Sequence, residues 1–496
     1  MNDSHGHGTA AGAASPAIAE GFTDEAQQEM FAKADTHFRQ QRTCFWGPAR
    51  ASSRQGATAD AMPPPVAHMY DGSCEPMQGN WKPFLTVAGV VFIVHAGLAG
   101  VRGKLTSPTT PYNEQYRMAQ YLLQGRGFVC PVGPPRDDPS SWYVPGYIAL
   151  MTAVMAVVGQ SGPATLSTIR LLNLAALGVS TGLFFLVARR LLDRPTAWLA
   201  AALICLSPTI VYKSPEVWDT NWAMLVGAAL LGLCVLAPPR RSLAVFAAGL
   251  GFGAGALVNP CWTLCYPAWV VCAWLGRRPD RRRVLDFTRY AGLIVAGFAV
   301  AIAPWTIRNY VTFGKLLYLR GNLPMELWVG NAPWSDGYFF NQDGERFHPV
   351  FNEEQARRMG RLGEWGYFQA CREDVGRWWR QNPERFFRLA LRRMRWFWFG
   401  RHELARSPTH HVIRVAATTV PGTLAILGAV IVLWRRRRAW ILVATAVIFP
   451  LIYYAALFMV RYRLPVEPVL LILAATALVT AARGLRRLAR REAARS

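Results

Sequence analysis

The chain has no Cys-x-x-Cys pair among its nine cysteines, and charged residues make up only 17% of it. The first absence removes the usual signatures of zinc and thiol-redox sites. Several cysteines lie inside apolar runs, where they read as small core residues. The second sets the chain apart from soluble domains, which carry roughly 25% charged residues. No signal peptide opens the sequence, because the first apolar run starts near Phe84, too deep for one. Residues 1–80 lack any apolar period and are rich in Gly, Ala, Ser, Pro and Gln; they read as a disordered cytoplasmic tail, with His5 and His7 as solvated residues. Acidic residues are scarce as well: 30 Asp and Glu stand against 54 Lys and Arg, for a net charge of +24. The arginines cluster between apolar runs, where a positive-inside signal belongs, so their distribution argues against a nucleic-acid partner.

What remains is apolar. Residues of that type make up 52% of the 496-residue chain. Runs suited to a bilayer lie at about 84–101, 166–188, 195–211, 220–236, 242–258, 261–275, 289–306, 412–434, 439–458 and 465–482. A further run, 145–158, opens on Pro145-Gly146 and is short. If it does not cross, Arg189-Arg190, Arg240-Arg241, the arginines at 277–283, Arg435 to Arg438 and the C-terminal arginines all fall on one side with the N-terminus. The positive-inside rule selects that arrangement. The expected fold is thus an all-α polytopic bundle of about ten spans, both termini inside, with 145–158 as an interfacial or re-entrant helix. Four regions result: the tail 1–80, a core 81–311 with an outer loop 103–165, an interfacial extracytoplasmic segment 312–411 rich in Trp and Arg, and the spans and basic tail 412–496.

The outer loops hold the polar residues with no obvious structural work. Glu114 is the first acid after the first run, and Asp219 stands in a separate outer loop. Two carboxylates brought together can hold a divalent ion, or supply a general base and its partner. A plain ion pair to Arg117 or Arg102 is the alternative for Glu114. Glu216 and the Asp137-Asp138 pair are weaker acid candidates, the latter as solvated turn residues. Arg308 follows Pro304-Trp305-Thr306-Ile307 at the outer end of a span, and Arg461 and Arg463 flank Tyr462. An arginine there can snorkel as an anchor or grip a phosphate with its fork.

In that order the motifs resemble a known family. The stretch Asn113-Glu114-Gln115-Tyr116-Arg117, then Trp142-Tyr143-Val144-Pro145-Gly146, Arg170-Leu171-Leu172-Asn173, Trp218-Asp219-Thr220, Pro304 to Tyr310, Gly330-Asn331 and Arg461-Tyr462-Arg463-Leu464-Pro465 are similar to those of bacterial polyprenyl-phosphate-sugar glycosyltransferases. These are related to dolichyl-phosphate-mannose protein mannosyltransferases and to the lipid A aminoarabinose transferase. The resemblance runs from about residue 84 to 482. It implies the membrane GT-C fold, a polyprenyl-phosphate sugar donor, inversion at the anomeric carbon, and an extracytoplasmic protein, lipid or glycan acceptor at the plasma membrane. On it, Glu114 and Asp219 are the catalytic acids and the ligands of any divalent metal, while Arg308, Arg463, Arg461 and Tyr143 form the donor-binding group. One departure stands out: many relatives have Asp-Glu where this chain has Asn113-Glu114. Two other readings use the same residues, a flippase or transporter of lipid-linked sugars and a non-catalytic homologue. Few charges lie inside the apolar runs, which favours the enzyme.

Overall fold

The architecture follows from a computed structural model, which describes residues 81–107, 113–132, 137–276, 283–339, 348–401 and 407–495. The tail 1–80 lies outside the described residues, as do the arginines at 277, 278, 281 and 282. Among the described residues there is no β-strand, only two isolated bridges, Val129 with Pro139 and Tyr338 with Phe458. The helices are α1 Trp81–Val101, α2 Glu114–Leu123, α3 Pro145–Val158, α4 Pro163–Leu191, α5 Arg194–Leu206, α6 Pro208–Lys213, α7 Thr220–Leu236, α8 Ser242–Ala256, α9 Tyr266–Leu275, α10 Arg283–Phe313, α11 Leu323–Asn331, α12 Glu353–Gln381, α13 Pro383–Phe399, α14 Pro408–Arg414, α15 Val420–Arg435, α16 Trp440–Ile448, α17 Leu451–Ala455, α18 Val460–Arg463 and α19 Glu467–Ala493.

Each of the ten expected runs is helical. Six stretches, Trp81–Val101, Pro163–Leu191, Leu285–Phe313, His411–Arg435, Arg437–Ala455 and Val460–Ala493, are long and apolar enough to cross a membrane. The protein is therefore a multi-pass membrane protein. The other four runs form shorter helices. Two of these are interrupted at a proline: α5 ends before Pro208, where α6 takes over, and a 3₁₀ turn at Pro260–Cys265 precedes α9. Helix α3 has 14 residues. At 1.5 Å per residue it reaches about 21 Å, short of a hydrocarbon core of about 30 Å.

The bundle closes on small residues and aromatic rings. A Cβ on Gly249 of α8 would lie 2.3 Å from the Ile294 carbonyl of α10, and one on Gly297 would lie 2.2 Å from the Phe246 carbonyl, so these helices touch backbone to backbone. Trp262 packs at a tilt against both Trp269 and Phe449, and the two indoles donate to the Ala223 carbonyl and Thr445 Oγ1. Satisfying both indole N–H groups is what allows them to be buried.

The segment after α10 is helical and tied to the bundle by one buried arginine. Arg393 of α13 donates to the carbonyls of Gly330, Gly337, Tyr454 and Ala455 and to Asn331 Oδ1. These partners lie on α11, on the loop after it and on α17. Gly330 packs so closely on Ala456 that a Cβ there would overlap its carbonyl. The arginine and the glycine together seat α11 over the mouth between α7 and α18.

Candidate functional site

At that mouth lies a cavity of about 310 Å³. Its wall draws on the start of α2, the loop before α3, the start of α7, the turn at 259–264, the stretch 319–326, Phe339 and His348, and the stretch from α17 to α18. Glu114, Asp219, Tyr143 and Arg461 all line it. Four residues expected from three separate outer loops are thus brought together.

Glu114 is the first residue of α2, and Asn113 is its N-cap. Asn113 Oδ1 accepts from the Tyr116 N–H at 3.0 Å, which satisfies an otherwise orphaned donor of the first turn. Its Nδ2 donates to the Val217 carbonyl, two residues before Asp219. Asn113 is therefore a clamp between the Glu114 and Asp219 loops. Glu114 is 7% exposed, and its Oε2 has no hydrogen-bond partner. Among the described residues it makes no ion pair; Arg102 donates instead to the Val211 carbonyl and Arg117 to the Pro131 carbonyl. Burial pushes the Glu114 carboxyl above its ordinary range, only partly opposed by its own backbone N–H and by the charges of Arg461, Arg117 and Arg320.

Asp219 precedes α7 without capping it. Its Oδ2 accepts from Asn259 Nδ2 at 3.4 Å. Burial raises this carboxyl too, against the pull of Arg461 and Arg320. Glu216 is spent on Lys213, 2.8 Å away, and Asp137 on Arg126 at 2.7 Å; neither lines the cavity.

Two guanidinium groups face these acids. Arg461 lies over Trp218, with its guanidinium carbon 3.7 Å from the ring centre, and no carboxylate is within ion-pair distance of it among the described residues. Arg320 lies over Tyr143 at 5.0 Å and donates through Nε to the Trp142 carbonyl at 3.0 Å. Its fork nitrogens have no described partner. Burial works against the Arg320 charge, but Tyr143, Glu326 and Asp219 outweigh it and hold its pKa up. Planar cations held over rings suit a tetrahedral oxyanion.

Arg308 and Arg463 are elsewhere. Arg308 donates to the carbonyls of Ser140 and Phe128, so it braces the loop that leads to Tyr143. Arg463 is 2% exposed; it is locked to Glu467 and to the carbonyls of Phe397, Trp398 and Thr418. Neither lines the cavity.

Three charged or imidazole-bearing lining residues were not anticipated from the sequence. Arg320 is one. Glu326 is a lone acid in the apolar helix Leu323–Asn331, a signal that was available; it accepts from Asn322 at 3.1 Å, and burial raises its pKa. His348 is 3% exposed, and its Nδ1 accepts from the Val350 N–H at 3.3 Å. That bond assigns the ring proton to Nε2. Burial, and then the charge of Arg461, push its pKa down to about 3, so the imidazole is neutral. Among the described residues no group of three His, Cys, Asp or Glu side chains is close enough to hold a metal ion.

No protein-family model matches the chain, and no curated protein sequence does. Three solved structures illustrate its likenesses. The oligosaccharyltransferase AglB of Archaeoglobus fulgidus, bound to an inhibitory peptide and a dolichol-phosphate, is 15% identical over 84% of this chain and 52% of its own, with a TM-score of 0.46. The same organism's oligosaccharyltransferase in complex with Zn and sulfate is 15% identical over 80% and 49%, with a TM-score of 0.44. ArnT of Cupriavidus metallidurans, bound to undecaprenyl phosphate, is 13% identical over 82% and 79%, with a TM-score of 0.36. The chain spans about half the length of the archaeal proteins it matches. At TM-scores below 0.5 the likeness is distant, and what the chain does is read from its cavity.

Proposed function

We propose that the protein is a membrane glycosyltransferase that moves a sugar from a polyprenyl-phosphate donor to a hydroxyl-bearing acceptor on the extracytoplasmic face. The observation that carries this reading is the pairing, in one cavity, of a buried carboxylate with a partnerless oxygen and two guanidiniums held over aromatic rings. The motif resemblance supplies the donor class, and the arginine distribution supplies the side. In the reaction the acceptor oxygen attacks the anomeric carbon as the bond from that carbon to the phosphate oxygen breaks. The lipid phosphate leaves with the electron pair, and Arg461 and Arg320 hold its charge. Glu114 takes the acceptor's proton; a raised pKa makes it a stronger base once it is ionised. Attack from the face opposite the leaving phosphate inverts the anomeric centre. Asp219 orients the acceptor or Arg461, and no step is routed through a metal.

The test is transfer of radiolabelled sugar from polyprenyl-phosphate hexose and pentose donors to envelope acceptors, by the purified protein and by Glu114→Gln. The variant keeps the shape, still binds donor, and transfers at least about a hundredfold more slowly, since a general base contributes about 10² to 10⁴. Because Glu114 titrates above the ordinary carboxylate range, wild-type turnover also falls on acidification earlier than an ordinary glutamate would make it. Near-wild-type transfer by Glu114→Gln removes it from the mechanism. Donor translocation without sugar release would make the protein a flippase.

A further inference from the structure

A second cavity, of about 160 Å³, lies at the opposite chemical extreme from the first. It forms where the start of α5, the end of α15 and the middle of α19 meet. Arg435, Arg436, Arg483 and Arg487 line it, with Asp193 as its one acid. Asp193 is already committed. Its Oδ1 caps α5 by accepting from the Thr196 N–H at 3.0 Å, and its Oδ2 is shared by Arg483 at 2.8 Å and Arg436 at 3.5 Å. Arg435 and Arg487 make no ion pair among the described residues. Four guanidiniums around one spent carboxylate leave a surplus of positive charge at the mouth of this cavity, which an anion would offset.

We infer that this cavity is a binding site for the phosphodiester headgroup of an anionic phospholipid. Its position argues for a lipid over a free ion. The cavity opens at the end of an apolar helix whose flank is bare: Leu427, Val430 and Leu433 of α15 are exposed, and Trp434 is 80% exposed. Acyl chains can lie along that flank while the phosphate sits among the arginine forks, with Ile431 at the boundary between the two. Excess positive charge selects against a headgroup that carries its own cation. The inference is independent of the chemistry assigned to the first cavity.

The experiment uses the full-length protein, delipidated in neutral detergent. Cardiolipin, phosphatidylglycerol, phosphatidylcholine or inorganic phosphate is added, and lipid retention by native mass spectrometry is read beside thermal unfolding. Cardiolipin and phosphatidylglycerol are retained and raise the Tm; phosphatidylcholine and phosphate do not. The double variant Arg435→Gln/Arg487→Gln weakens retention by about thirtyfold, from roughly fivefold for each arginine near an anionic headgroup. A control, Arg486→Gln/Arg490→Gln, removes the same charge from α19 outside the cavity and leaves retention unchanged. Equal loss in the control would mean bulk charge alone. Equal binding of phosphatidylcholine, or full retention by the first variant, would overturn the site. Stabilisation by inorganic phosphate alone would make it a free-anion site and overturn the lipid assignment.

Discussion

Replacing Glu364 by glutamine should change how the stability of the protein depends on pH. Glu364 of α12 is 3% exposed. Its Oε1 accepts from the Ser141 N–H at 2.5 Å and from Ser141 Oγ at 3.1 Å, and its Oε2 accepts from Ser140 Oγ at 2.6 Å. Burial pushes its pKa from 4.5 to about 7, although the serine hydrogen bonds pull the other way. A folded-state pKa above the unfolded value means that the native protein holds this proton more tightly. The stabilisation is complete below about pH 4.5 and is lost as pH rises to about 7. At 1.36 kcal/mol per pKa unit, the loss is about 3 kcal/mol.

Glutamine is neutral at every pH and keeps an acceptor for Ser141 and a donor for Ser140. Glu364→Gln should therefore match wild type near pH 4.5, exceed it by up to about 3 kcal/mol above pH 7.5, and show a flatter curve between. Glu364→Ala leaves buried serine donors unpaired, at about 1–3 kcal/mol each, and should be destabilised throughout. It should also slow transfer, because Ser140 and Ser141 lead directly to Trp142 and Tyr143 at the cavity. Thermal unfolding in detergent from pH 4.5 to 8.5 reads both variants. Parallel curves for wild type and Glu364→Gln would show that Glu364 does not titrate in this window and would refute the reasoning.

The arginines at 461 and 463 should part company on the same conservative change. Arg461→Lys should fold normally and lose donor affinity, because an ammonium gives up both the guanidinium contact over Trp218 and the fork. Arg463→Lys should instead lose fold stability, since breaking a buried, fully bonded pair costs about 3–5 kcal/mol. Unfolding curves and donor titrations separate the two, and the reverse pattern would overturn the assignment. His348→Gln, which keeps an N–H donor, should leave the shape of the kcat/KM profile between pH 5 and 9 unaltered, because a group with a pKa of about 3 does not titrate there. A lost limb in that profile would make His348 an acid–base group.

The helices were legible because the bilayer imposes one rule on all of them: an apolar run must satisfy its backbone within itself. That rule needs no partner, so it can be read from composition, and all ten runs are helical. The cavity obeys no such local rule. Arg320, Glu326 and His348 reach it from a segment held in place by Arg393, whose five carbonyl and amide partners are scattered over more than a hundred residues. Asn113, read as a departure from the family pattern, is a cap and a cross-loop clamp, a task that shows only once Val217 is beside it. The arginines of Arg461-Tyr462-Arg463 make the point most sharply. Both stand at the start of one helical span, and either could grip a phosphate. Two positions on a helix are 200° apart, however, so the pair must face opposite ways. One had to enter the cavity and the other the packed interface with α13. Which one did was decided by Glu467, a single turn beyond Arg463 and 1% exposed, whose buried charge requires a cation beside it. With Arg463 committed to that pair, Arg461 is turned toward Trp218, Glu114 and Asp219, inside the cavity.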